Sequence, residues 1–150
     1  TELMGINNSK FFKKMIIFRP HNVYGKDMGN EHVIPEIIKK VKNARNIIKI
    51  KGSGLQTRSF IYIDDFVEAF YLIFKKGKNL NIYNIGTQEK IKILDLVKKI
   101  IKIYNKNLII KKENIAKGGT EHRTPNINKI KKLGFKSKFN ITQGLKRIIL

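Results

Sequence analysis

The chain has 150 residues and a formal net charge of +21, no cysteine, and three histidines, His21, His32 and His122, without ligand spacing; disulfides and thiolate metal sites are excluded and no metal site is assigned. That length suits one domain burying roughly 70% of its unfolded surface, and no apolar run is long enough to span a bilayer. Of the 32 basic residues 27 are Lys and 5 Arg, and Lys, Ile and Asn supply 69 of the 150 residues, so the charge is a whole-chain bias without a nucleic-acid motif.

The opening residues, Thr1 to Met4, carry no cap signal and read as a helix already under way. Lys14 to Arg19, with its MIIF run, is expected to be a buried parallel strand bounded by Pro20. His21, Asn22 and Tyr24 follow at its carboxyl end, where open parallel sheets collect ligands. Val33, Ile34, Ile37, Ile38 and Val41 recur at helical spacing with Lys39, Lys40 and Lys42 opposite, and Pro35 fits only that helix's first turn. Ile47 to Ile50 form a short strand into Gly52-Ser53-Gly54, a turn that lacks the third glycine of a dinucleotide loop.

Ser59 to Ile63 is rich in aromatic and branched residues that suit a strand, and Asp65 with Glu68 reads as the cap of the next helix. Phe66, Val67, Phe70, Ile73 and Phe74 mark that helix's apolar side. Ile82 to Ile85 give a second short strand, Leu94 to Tyr104 a helix, and Leu108 to Ile110 one more strand. Asn126 caps a helix that stops at Leu133-Gly134, and Asn140 with Gln143 forms a capping box for the last helix. Alternating elements without a repeat predict an α/β fold.

Arg58 is the first residue to explain by chemistry. It sits between a glycine-rich turn and a strand, where a guanidinium can grip a phosphate or carboxylate bidentately; alone it could equally be a surface arginine on a hairpin. Tyr71 and Lys75 have the Tyr-x-x-x-Lys spacing of a catalytic pair, but read as neighbours on a helix surface. Asp64 and Asp65 look like paired carboxylates, yet their place at a helix start argues for capping.

Four blocks in order, MIIFRPHNVYG (Met15 to Gly25), HVIPEII (His32 to Ile38), QTRSFIYIDD (Gln56 to Asp65) and IYNIGT (Ile82 to Thr87), resemble the extended short-chain dehydrogenase/reductase family, and more narrowly its nucleotide-sugar epimerases, dehydratases and decarboxylases. The resemblance runs from Ile16 to GLKRII at Gly144 to Ile149. It implies the last strands of a doubly wound, Rossmann-like parallel sheet, near residues 14–19 and 82–85, plus the small α/β substrate-binding region over 1–150. The family's glycine fingerprint and catalytic Tyr-x-x-x-Lys pair are then expected before Thr1, making this a carboxy-terminal part that is inactive alone.

The family's activity implies NAD as cofactor, with NADP left open, a nucleotide-diphosphate sugar as substrate, and transient hydride transfer. Pro20 and His21 match positions that approach the nicotinamide, and Asn22 matches an asparagine that binds substrate. His32 and Val33 match positions lining the nucleotide, Lys49 and Lys51 flank the strand that contacts the base, and Phe60 is expected against base or ribose. Arg58 and Arg123, the latter in HRTPNI after Gly118-Gly119, match two arginines on the diphosphate. The other readings are an inactive sugar-nucleotide-binding remnant and a basic nucleic-acid-binding protein. A homodimer when intact, a cytoplasmic location, no specific nucleic acid and no membrane complete the expectations; the sugar, the base and the reaction after oxidation stay open.

Overall fold

A computed structural model describes residues 2–114 and 120–150; Thr1 and the Gly118-Gly119 pair lie outside the described residues. The elements run α1 (Glu2–Asn7), β1 (Ile17–Pro20), β2 (Val23–Tyr24), α2 (Val33–Asn43), β3 (Ile47–Lys51), β4 (Thr57–Arg58), β5 (Ile61–Tyr62), α3 (Ile63–Lys76), β6 (Ile82–Ile85), β7 (Ile91–Lys92), α4 (Ile93–Ile103), β8 (Ile109–Glu113), β9 (His122–Arg123), α5 (Asn128–Lys132) and α6 (Ile141–Ile149). The α/β expectation is borne out.

Parallel pairing dominates. β1 pairs β6 from Ile17↔Ile82 to Pro20↔Ile85, β3 pairs β8 from Ile47↔Ile109 to Lys51↔Glu113, and β2 pairs β5. Parallel strands need covered faces, and two apolar clusters provide them. In the first, Ile34, Ile37 and Val41 of α2 meet Ile48 and Ile50 of β3 and Leu96, Val97 and Ile100 of α4. In the second, Ala69 and Ile73 of α3 and Ile130 of α5 enclose Tyr83 and Ile85 of β6. Each fully buried Ile or Leu contributes about 1.5–3 kcal/mol.

Three expectations are corrected. Of the Ser59 to Ile63 strand only Ile61 and Tyr62 remain, as β5 beside β2, while Thr57 and Arg58 before it form a separate strand, β4, that pairs with β7 and β9. Next, α3 begins at Ile63 without a side-chain cap, so Asp65 is inside the helix. Its buried carboxylate instead accepts Ser137 Oγ at 2.7 Å and the backbone N–H groups of Lys138 at 2.9 Å and Phe139 at 3.0 Å. Asp64 pairs with Arg147 at 3.0 Å, and Glu68 with Lys138. Last, the inward face of α3 is Asp65, Ala69 and Ile73, while Val67, Phe70 and Phe74 are exposed. The helix is apolar on two faces, and the small Ala69 is what lets it approach β6.

The capping box of α6 follows the sequence, Asn140 with Gln143 making both its bonds, and Gly134 takes φ +103° just past α5. Asn126, expected as the cap of α5, stands one residue before the N-cap Ile127, its Oδ1 accepting Asn128 N–H at 3.0 Å. At the other end of the first cluster, Lys106 Nζ donates to the carbonyls of Val41 at 2.9 Å, Lys42 at 2.6 Å and Ala44 at 2.9 Å, closing the carboxyl end of α2.

α6 crosses directly over Tyr24. A Cβ at Gly144 would stand 2.0 Å from Tyr24 Oη, so only glycine permits that approach. Burial first, then Glu89, Tyr62 and Asp65, push the Tyr24 phenol above its ordinary value. An unfolded tyrosine ionises near about pH 10, before the buried one does, so the native state loses stability as pH rises past that point. Urea unfolding midpoints are expected to fall above about pH 10, more steeply in the parent than in Tyr24→Phe; equal slopes would mean that this phenol is not the group responsible.

Candidate functional site

The loop leaving β1 is locked from both sides. Asn22 has φ 45°, a left-handed conformation that asparagine tolerates better than most residues. Its Nδ2 donates to Ser59 O at 2.8 Å and its carbonyl accepts Ile61 N–H at 3.2 Å. A cavity of about 140 Å³ opens beside it, walled by Tyr24, Met28, Glu31, His32, Val33 and Phe60 as well as Asn22. Tyr24 and Phe60 meet edge-on, ring centroids 6.3 Å apart.

A second cavity, about 220 Å³, has Val33, Ile37, Ile48, Ile50 and Ile93 as its apolar wall and Glu36, Lys40, Lys49, Lys51, Gln56, Arg58 and Thr120 as its polar one. Val33 lines both cavities, which are therefore neighbours across one side chain at the start of α2. Within the second, Glu36 pairs with Lys40 at 2.9 Å, and Lys49 reaches Glu113 at 3.6 Å.

Arg58 enters this cavity from β4. Its Nη1 donates to Thr57 O at 2.8 Å and Glu121 O at 3.2 Å, and Nη2 donates to Thr120 O at 2.8 Å. Carbonyls orient the guanidinium without neutralising it. β9 then pairs with β4 in parallel, Arg58 opposite Arg123, which places the two side chains on one face of the sheet. Burial, followed by the nearby Arg123 charge, lowers the Arg58 pKa. Among the described residues neither arginine pairs with a carboxylate, an arrangement able to receive an anion.

Pro20 and His21 stand apart from both cavities, at the joint end of β1 and β6. His21 N–H donates to Ile85 O at 2.9 Å, while its Nε2 is buried with no hydrogen-bond partner. A Cβ at Gly86 would lie 3.1 Å from His21 Cβ and 2.8 Å from Pro125 Cγ. The space beside Gly86 is therefore filled by the chain's own His21 and Pro125, which packs the end of β6 tightly against the end of β1. Thus Arg58, Lys49, Lys51 and Val33 come together and Asn22, His32 and Phe60 meet next door, whereas Arg123 lines neither cavity and stands exposed opposite Arg58 in the β4–β9 register. Arg58 and Phe60, two residues apart, line different cavities because the chain leaves the strand at Ser59.

Sequence reasoning missed Glu36, Gln56 and Thr120 in the second cavity, and Met28 and Glu31 in the first. Glu36 had a usable signal, since it follows His32 by four residues and Val33 by three on one helix face. Tyr71 and Lys75 line neither cavity; Lys75 Nζ sits 4.4 Å above the Tyr71 ring on the surface of α3. Among the described residues no group of three His, Cys, Asp or Glu side chains is placed to hold a metal, and no helix is long and apolar enough to cross a membrane.

Polar groups gathered at the carboxyl ends of parallel strands, over apolar cavities, define an α/β protein of the ligand-at-strand-end type. Residues 7–86 match the NAD dependent epimerase/dehydratase family, and the chain belongs to that family. It is 37% identical over 142 residues to the human dTDP-D-glucose 4,6-dehydratase, covering 90% of this chain and 40% of that protein. Among solved structures, the Bacillus cereus UDP-glucuronic acid 4-epimerase in complex with UDP-glucuronic acid and NAD matches with TM-score 0.86 and 25% identity over 98% of this chain and 48% of that one. The Thermotoga maritima UDP-glucose 4-epimerase with UDP-glucose matches in fold, with TM-score 0.87 and 24% identity, over 99% of this chain and 49% of that one. The chain therefore spans less than half the length of these relatives.

Proposed function

We propose that this chain is the substrate-holding part of an NAD-dependent nucleotide-sugar epimerase, dehydratase or decarboxylase. The observation that carries the reading is the Arg58–Arg123 pair, in register on adjacent strands, with Arg58 lining the second cavity and no carboxylate paired with either among the described residues. Arg58 and Arg123 bind a diphosphate; the aliphatic wall of Val33, Ile37, Ile48 and Ile93 takes the flat face of a base, with Lys49 and Lys51 at its rim. Asn22, Phe60 and His32 then receive the far side of the diphosphate and the sugar in the adjoining cavity. The names of the relatives, which carry dTDP and UDP, favour a pyrimidine nucleotide.

Pro20 and His21, at the carboxyl end of β1, would stand at the nicotinamide end of NAD, approached through their backbone. When bound, NAD supplies the hydride acceptor for oxidation of a sugar hydroxyl. The chain's own residues contribute anchoring: energy from the diphosphate and base fixes the sugar against the strand ends, so that orientation is settled before chemistry. The proton-transferring tyrosine and lysine are expected outside this sequence, because Tyr71 and Lys75 lie away from both cavities.

Calorimetric titration of the purified chain with UDP, dTDP and uridine tests this. Both diphosphates are expected to bind one per chain, and uridine at least roughly 100-fold more weakly, since two charge-assisted contacts are lost. Equal affinity for UDP and uridine, or no binding of any of them, overturns the diphosphate assignment.

A further inference from the structure

One stripe of α2 turns both apolar and charged side chains to the second cavity. Val33 and Ile37 are its apolar members, and Glu36 and Lys40, one helical turn apart, form an ion pair at 2.9 Å. In water, an acidic residue in the first turn of a helix and a lysine four residues further on are ordinary helix stabilisers. Here the pair lines a cavity of about 220 Å³ whose apolar wall is completed by Ile48, Ile50 and Ile93.

A second lysine acts on Glu36 from the strand β3. Lys49 and Lys51 both line the cavity, but Lys49 is drawn to Glu113 of β8 at 3.6 Å, whereas Lys51 pairs with no carboxylate among the described residues. The Lys40 hydrogen bond first, and then the charges of Lys40 and Lys51, hold the Glu36 carboxyl below its ordinary range in spite of burial. Among the described residues Glu36 is the one carboxylate that lines this cavity. It is an ionised acceptor with one ammonium donor from α2 and another from β3. Gln56 lines the cavity too, but its amide can donate or accept and so suits any partner.

We propose that Lys40, Glu36 and Lys51 form a donor–acceptor–donor row that reads the edge of a uracil or thymine base and rejects cytosine. Along that edge uracil and thymine present O4, N3–H and O2, an acceptor, a donor and an acceptor, and the row answers all of them. Cytosine presents an amino group and a bare N3 instead, so its amino protons meet an ammonium and its N3 meets a carboxylate. Guanine fails at its exocyclic amino group, and adenine at its amino group and N1. The row is partly shielded from water, so a wrong edge does more than forgo hydrogen bonds: it leaves charged groups desolvated and unpaired. The methyl group of thymine lies off this edge, and the row does not separate dTDP from UDP. This choice of base rests on the diphosphate reading, which brings a base into the cavity, and adds to it the side chains that select the base.

Calorimetric titration of the purified chain with UDP and CDP, which carry the same diphosphate, tests the row. The parent is expected to bind UDP roughly 10- to 100-fold more tightly than CDP, as befits lost hydrogen bonds to charged groups. In Glu36→Gln the amide turns either its oxygen or its nitrogen to the base, and the ratio is expected to fall below about threefold, with UDP weakened and CDP not. Circular dichroism checks that the variant is folded, and the ratio in the parent decides the matter without it. Equal binding of both nucleotides by the parent overturns the row and leaves the diphosphate reading in place, whereas binding of neither overturns both. A ratio that folded Glu36→Gln leaves unchanged assigns the ion pair to helix stability alone and overturns the proposal.

Discussion

Replacing Arg58 with Ala is expected to weaken UDP or dTDP binding by about 2–3 kcal/mol, the contribution of hydrogen bonds between charged groups. That corresponds to roughly 30- to 150-fold in dissociation constant. Three backbone carbonyls aim the guanidinium, and among the described residues no carboxylate pairs with it. Its neighbour Arg123 repels it in the free protein, so a diphosphate satisfies two charges at once. Arg58→Lys keeps the charge and loses the planar fork, and should fall between parent and Arg58→Ala. Calorimetric titration with circular dichroism as a folding control decides it: unchanged affinity in a folded Arg58→Ala variant removes this residue from the site.

The second large effect concerns stability. Asp65→Ala is expected to cost about 3–5 kcal/mol, because it deletes three hydrogen bonds to a charged acceptor and leaves buried donors unpaired. The carboxylate is fully buried and joins α3 to residues 137–139, the segment that aims α6 across Tyr24. Losing it frees α6, and with it the Tyr24–Phe60 wall of the smaller cavity. Urea unfolding monitored by circular dichroism gives the number, and a loss under about 1 kcal/mol, the value of one ordinary hydrogen bond, would mean that the clamp is not what holds the carboxyl-terminal helix.

Long periodic elements were legible in the sequence because burial imposes the period. α2, α4, β3 and β6 lie where apolar spacing puts them, and the capping box at Asn140 is visible because two specific side chains must serve two specific N–H groups; β1, expected as a buried strand over Lys14 to Arg19 bounded by Pro20, instead runs Ile17–Pro20 with Pro20 paired inside it and Phe18, Arg19 and Pro20 exposed. The two-residue pairings β2, β7 and β9 were not legible, since two residues carry no period and their existence depends on partners far along the chain. That is also why the break at Ser59 escaped notice. Asp65 was misread for a related reason: an acidic residue near a helix start satisfies the local rule for a cap, whereas its real partners are more than seventy residues away. The stripe of α3 was seen as one amphipathic face because sequence spacing cannot say which of two apolar sides meets the core.

In the site, Arg58 and Arg123 were recognisable as scarce arginines in a lysine-rich chain, within blocks that resemble a known family. Their cross-strand register was not, and Glu36 in the same cavity was overlooked as one more charge on the solvent side of a helix.

Lys106 gives that abundance of lysine a different meaning. Most lysine ammonium groups in this chain stand in water, where acylation would change charge and little else. Lys106 donates to three carbonyls at the end of α2, and an acyl group there would remove the charge and leave one N–H donor where there are three. The helix it closes begins at Val33, the side chain shared by both cavities, so a chemical mark placed at one end of α2 would be read as a loosened partition at the other.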